Sequence, residues 1–224
     1  TRSFFEKRWI KNALNISIFS ESTGELKKKG TCPIVICASG PSLKTVIPFL
    51  KQVKAYIIAV SSALRPLFDA GITPDLVIST DGGYWAKKHL EPLTKCETKI
   101  VLAVEGNIPL SLLKKSKIIP MVYPDGVESE LFKKSGKAYI TGLRCGTVSG
   151  TALEFARQIT TGPVYFAGLD LYVSNGFQHT QNNNLELINS NQDKKIFSKE
   201  QRLCSQSFSN QKISLKIYED WFSN

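Results

Sequence analysis

No apolar run in this sequence approaches the ~20 residues of a transmembrane helix. The opening stretch, "TRSFFEKRWIKNALNIS", carries charges throughout and has no unbroken apolar segment, so no signal peptide is expected. It also lacks an initiator Met, which suggests a piece of a longer chain. Two common nucleotide fingerprints are missing. There is no "GK[ST]" phosphate loop, and no GxGxxG, which disfavours NAD. No RNA-binding signature or interleaving of aromatic and basic residues occurs, so no nucleic-acid partner is expected. Acidic residues are the scarcer charge, 19 against 29 Lys and Arg, for a net charge of +10. That balance favours anionic partners such as nucleotides, although a solvated Lys-rich surface accounts for most of the lysines. The five cysteines, Cys32, Cys37, Cys96, Cys145 and Cys204, form an odd and scattered set. They predict reduced thiols and a cytoplasmic setting. Cys32 and Cys37 are an odd number of residues apart, which on a strand puts them on opposite faces, so no metal pair is expected there.

What is present is an alternation. Apolar runs over 33–38, 55–60, 75–79, 99–104, 117–123 and 163–168 read as strands. Helical patterns over about 42–52, 61–71, 84–91, 105–116 and 146–159 fall between or after them. Strands that are apolar almost throughout are covered on both faces. The order therefore predicts an α/β, doubly wound, mostly parallel sheet with helices on both faces. Before it, Phe5, Trp9, Ala13 and Ile16 recur at helical spacing, predicting an amphipathic helix over 2–16 and a polar linker over 17–31. The division is 1–31, helix and linker, and 32–224, the nucleotide-binding domain. After Asp170 the chain turns Asn/Gln/Ser-rich, which reads as loops and a mobile lid; "ISLKIYEDWF" reads as a strand or a helix.

In an open parallel sheet, ligands bind outside the carboxyl ends of the strands. "VICASGPSLK" places Ser39, Gly40, Pro41 and Ser42 there, a small bare turn that leaves the backbone open to close approach. Amides of 40–43 opening a helix can cradle a phosphate, though a plain structural turn explains the residues equally well. Ser61 and Ser62 follow the second strand, and "TDGG" gives Asp81 and Gly82 after the third. Gly146 and Thr147 open a second Gly/Thr-rich helix start, read either as an anion site or as ordinary N-capping. His179 lies in the polar loop, and an imidazole titrates near neutrality, as a general base requires. His89, among Lys87, Lys88 and Glu91, reads as a surface residue without a role.

Three segments carry a resemblance over roughly residues 33–180: "ASGPSL", "IIAVSSALRPLFDAGITPDLVISTD" and "GTVSGTALEFA…GPVYFAGLDLYVSNGFQHT". In this order and spacing they resemble the motility accessory factor (Maf) and MptE-like family, related to bacterial sialyltransferases. "CGTVS" stands where the family commonly has "GGSVA", and Leu169 where it commonly has Gln. The resemblance implies a Rossmann-like domain. It also implies transfer of a nonulosonic, sialic-acid-like sugar from a CMP-sugar to Ser or Thr of flagellin, with no required cofactor. On that reading Ser39, Gly40, Ser42, Ser61, Ser62, Asp81, Gly82, Gly146 and Thr147 contact the nucleotide. Tyr172 donates to the departing phosphate, His179 takes the acceptor's proton, and Asp170 belongs to the same step. The cousin branch implies an alternative, an ATP- and Mg²⁺-dependent 6-hydroxymethylpterin diphosphokinase with Asp81 and Asp170 on the metal. A non-catalytic nucleotide-binding domain is the third reading.

Overall fold

In the computed structural model of the chain, residues 2–20, 29–172, 177–191, 196, 198, 201 and 208–223 are described. Residues 21–28 of the expected linker, 173–176 and most of 192–207, Cys204 included, lie outside them.

Seven strands form one sheet: β1 Ile34–Cys37, β2 Tyr56–Val60, β3 Leu76–Ser79, β4 Lys99–Ala103, β5 Ile118–Val122, β6 Ile140–Thr141 and β7 Val164–Ala167. The order is β6-β5-β4-β3-β2-β1-β7, and every pair is parallel. The chain steps outward from β1 to β6 and then returns to lay β7 on the far side of β1. β1 is thus the point where strand order reverses. Ile36, Ile58, Val77, Ile78, Ile100, Val101 and Leu102 are fully buried, as strands covered on both faces require. This is the expected α/β Rossmann-like architecture.

The helices are α1 Arg2–Phe19, α2 Leu43–Leu50, α3 Leu64–Asp69, α4 Tyr84–Leu90, α5 Leu110–Lys115, α6 Val127–Lys133, α7 Val148–Ile159, α8 Asn184–Ser190 and α9 Phe208–Ser223. Short 3₁₀ turns occupy Ser61–Ala63 and Glu91–Lys95. α1 runs three residues past the expected end. Its Ala13 and Ile16 enter the same buried cluster as the strands, and it packs on α5 and α6. α7 lies across β1, β2, β3 and β7. The expectation of loops after Asp170 is corrected by α8, and "ISLKIYEDWF" belongs to the helix α9. α9 sets Phe222 edge-on against Phe166 of β7, covering part of that edge strand. Among the described residues no helix is long and apolar enough to cross a membrane.

Candidate functional site

Parallel strands bring all their carboxyl ends to one edge, so the turns after β1, β2, β3, β4, β5 and β7 share it. The β1 and β7 turns meet at the reversal point. Gly40 N donates to Gly168 O at 2.8 Å, and Ser42 N donates to Asp170 Oδ2 at 2.7 Å. A Cβ on Gly40 would sit 2.4 Å from Asp170 Oδ2 and 2.6 Å from Gly168 O. What approaches this bare turn so closely is therefore the end of β7 and its carboxylate. Leu43 N donates to Gly40 O, and Pro41 has no amide hydrogen. So the amides of 40, 42 and 43 all have protein acceptors, and the anion lying against the turn is Asp170. Leu171 takes φ 55, a left-handed conformation uncommon for a residue with a side chain. That kink directs Asp170 back toward Ser42, while Tyr172 stays 54% exposed.

Ser39 and Ser62 face one another across β1 and β2, with Ser62 Oγ donating to Ser39 Oγ at 2.9 Å. Ser61 is buried in its 3₁₀ turn. The segment 177–183 folds over this pair. Thr180 N donates to Ser39 O at 2.8 Å, and Asn183 Nδ2 donates to Ser62 O at 2.7 Å. His179 is thereby held above the crevice. Its amide donates to Glu186 Oε1 at 3.2 Å, and its Nδ1 lies 3.8 Å from the same oxygen. Burial alone would raise the Glu186 carboxyl; the His179 side chain and amide outweigh it and hold the group below the usual range.

His89 turns inward from α4, correcting its reading as a surface residue. Burial first, and then the His179 charge, push its pKa down to about 4, with Asp81 opposing them. The structure thus gathers Asp81, His89, His179 and Glu186 beside the Ser39–Ser62 pair. The consequence for stability has a definite sign. Between pH 6.5 and 4 the unfolded chain protonates at His89 while the folded one does not, so stability falls as pH falls. The loss is complete near pH 4 and amounts to at most about 3 kcal/mol. The Glu186 contribution is lost at lower pH, below the ordinary carboxylate range. His89→Asn should flatten denaturant-measured stability between pH 6.5 and 4; an unchanged slope would show that His89 does not titrate this way.

Asp81 is exposed and caps its own turn, with Gly83 N donating to Oδ1 at 2.9 Å. Gly82 is buried, and a Cβ there would be 2.7 Å from Glu105 O and 2.8 Å from the Trp9 ring. Its bareness therefore serves the docking of α1. Thr147 is the N-cap of α7, its hydroxyl accepting from Gly150 N at 2.9 Å. Gly146, at φ 74, lies under Tyr218 of α9.

Sequence reasoning missed a second charged centre on this edge. Arg144 grips Glu105 with two parallel bonds of 2.7 Å and reaches Asp125 at 3.1 Å and Glu128 at 3.3 Å. Its guanidinium lies 4.1 Å from the Tyr123 ring centroid and 5.8 Å from that of Trp9. Among the described residues no group of three or more His, Cys, Asp or Glu side chains is placed to hold a metal ion.

Comparison with known proteins places this geometry in a family. A protein of Treponema pallidum (strain Nichols), described as uncharacterized, is 35% identical over 182 residues. That match covers 81% of this chain and 40% of the Treponema protein, so the chain spans less than half of that relative. Among solved structures, one titled "Structure of MAf glycosyltransferase from Magnetospirillum magneticum AMB-1" aligns with TM-score 0.57 at 19% identity. It covers 76% of this chain and 28% of that one, and the likeness is one of fold. The family described as "6-hydroxymethylpterin diphosphokinase MptE-like" matches residues 7–176, from inside α1 to just past the β7 turn. The chain belongs to this MptE-like family.

Proposed function

We propose that the chain is a glycosyltransferase-type domain that uses a nucleotide-activated sugar, of the CMP–nonulosonic acid class. Its acceptor is a protein Ser or Thr hydroxyl, flagellin being the first candidate, and the reaction is cytoplasmic. The observation that carries this reading is the His179–Glu186 pair roofing the crevice at the strand reversal. The fold likeness to a glycosyltransferase supports it.

The acceptor oxygen attacks the anomeric carbon of the sugar, and the bond from that carbon to the CMP phosphate oxygen breaks. The bonding electrons leave with the phosphate. The acceptor's proton passes to Nε2 of His179, whose Nδ1 side faces Glu186. Because the amides of the 40–43 turn are already engaged, hydroxyls meet the phosphate: Ser39, Ser62 and, at the rim, Tyr172. Asp170 fixes the Ser42 turn, and its charge suits ribose or sugar hydroxyls better than phosphate. Asp81 lies beside the imidazoles.

The family's description favours a second reading, an ATP- and Mg²⁺-dependent diphosphokinase. Its metal would need Asp81 and Asp170 together. They follow β3 and β7, three strand spacings apart, about 14 Å at ~4.8 Å each. One Mg²⁺ holds its oxygens at about 2.1 Å, so this pair does not fit a shared ion.

Melting curves with CMP and ATP, each with Mg²⁺ or EDTA, separate the readings. CMP should stabilise the chain with EDTA present, by about 2.7 kcal/mol at one hundred times Kd. If ATP stabilises only with Mg²⁺ and CMP does nothing, the diphosphokinase reading replaces this one.

A further inference from the structure

A cavity of about 360 Å³ opens between α1, α4, α5 and the turn after β4. Arg8, Lys11 and Lys87 line it with Asn12, Asn15 and Asn107, and no acidic side chain does. Arg8, Lys11, Asn12 and Asn15 fall at i, i+3, i+4 and i+7, a single face of α1. Like charges three residues apart on a helix repel, and a third cation from α4 adds to the cost. None of the three cations has a carboxylate partner among the described residues. The contrast lies in the larger groove between α3 and the 91–95 turn, where Arg65 pairs with Asp69 and Glu91 with Lys88. A concave site with three cations that no described carboxylate neutralises is complementary to a multivalent oxyanion.

The cavity is joined to the crevice edge. Asn107 N donates to Asp81 O at 2.9 Å, and Asn107 Nδ2 donates to Gly83 O at 3.0 Å. Asn12 Nδ2 donates to Glu105 O at 2.8 Å, fixing α1 to the same turn. Lys87 and His89 share the short helix α4. We propose that this cavity binds a small molecule carrying a phosphate or diphosphate group, at a site separate from the β1–β7 crevice.

Inorganic pyrophosphate is the probe, titrated calorimetrically into the chain with Mg²⁺ absent. Saturable binding is expected. Lys11→Gln combined with Lys87→Gln should weaken it more than about 100-fold, since each hydrogen bond to a charged group is worth about 1.5–3 kcal/mol. Both side chains are exposed, so the doubly substituted chain should melt within about a degree or two of the parent. Its CMP affinity should be unchanged, which keeps this test distinct from that of the transferase reading. Lys51→Gln with Lys54→Gln, both exposed, removes the same charge elsewhere and should leave pyrophosphate binding intact. CMP and pyrophosphate should bind together. Competition between them would mean that the phosphate belongs to the crevice, and would overturn the proposal. Equal weakening by the control pair, or a matching response to sulfate at the same ionic strength, would reduce the effect to net charge and overturn it as well.

Discussion

Arg144→Met should lower the stability of the chain by about 3–5 kcal/mol, read as a drop in denaturant midpoint at constant m. The reason is what it leaves behind. Glu105 is 6% exposed and Glu128 fully buried, and both lie against the guanidinium. Removing one member of a buried ion cluster strands the others in a poorly polarisable setting. Asp125, with a 58% exposed side chain, contributes little to this loss. Arg144→Lys keeps the charge but not the two-pronged fit to Glu105, so it should cost less than Met and more than a surface change. Glu105→Gln added to Arg144→Met should recover part of the loss, giving a coupling energy in the double-mutant cycle. The pH response has a clear sign too. Burial raises the Glu105 carboxyl, and Glu128 adds to this, while Arg144 opposes both. With Arg144 gone, the folded chain takes up a proton at Glu105 more readily, so the variant should regain stability as pH falls. A loss under about 1 kcal/mol would show that water reaches the cluster freely.

His179→Ala should slow sugar transfer about 10²- to 10⁴-fold, the usual span for a lost general base. The assay uses a CMP-sugar donor and a Ser/Thr-containing acceptor. CMP affinity should change little, because the Ser39–Ser62 pair and the β1 turn remain. Glu186→Gln removes the charge facing Nδ1 while keeping a similar shape, so its effect should be smaller. Transfer within about threefold of the parent in His179→Ala would remove His179 from the reaction and return the crevice to a binding role.

The sheet could be read from the chain because its central strands are unbroken apolar runs, a pattern that survives without knowing any neighbour. β6 could not: two residues inside "KAYITG" carry no run to detect. α6 and α8 sit in polar stretches where loops were as good a reading. That the 39–42 and 168–172 turns share an edge was legible through the rule that sites gather at the carboxyl ends of parallel strands; that they touch was not, because nothing in the sequence says that β7 returns to β1. The Arg144 cluster was not, since its partners lie 39, 19 and 16 residues away and nothing local marks them. His89 was misjudged for the same reason. Its neighbours along α4 are lysines, and the imidazole that changes its environment arrives from a segment ninety positions later in the numbering.

The return of β7 to β1 also sets the order in which the crevice comes into being. Ser42 and Asp170 bond across 128 residues of chain. Contacts of such separation close late, because the entropy of ordering the intervening chain must be met first. During synthesis, β1 through β6 can pair with neighbours already made, while β1 keeps one open edge. That edge exposes unpaired backbone groups until residues 164–167 arrive. A nascent chain halted before them would hold most of the sheet but lack the Asp170, His179 and Glu186 side of the crevice, with a strand edge free to recruit another copy.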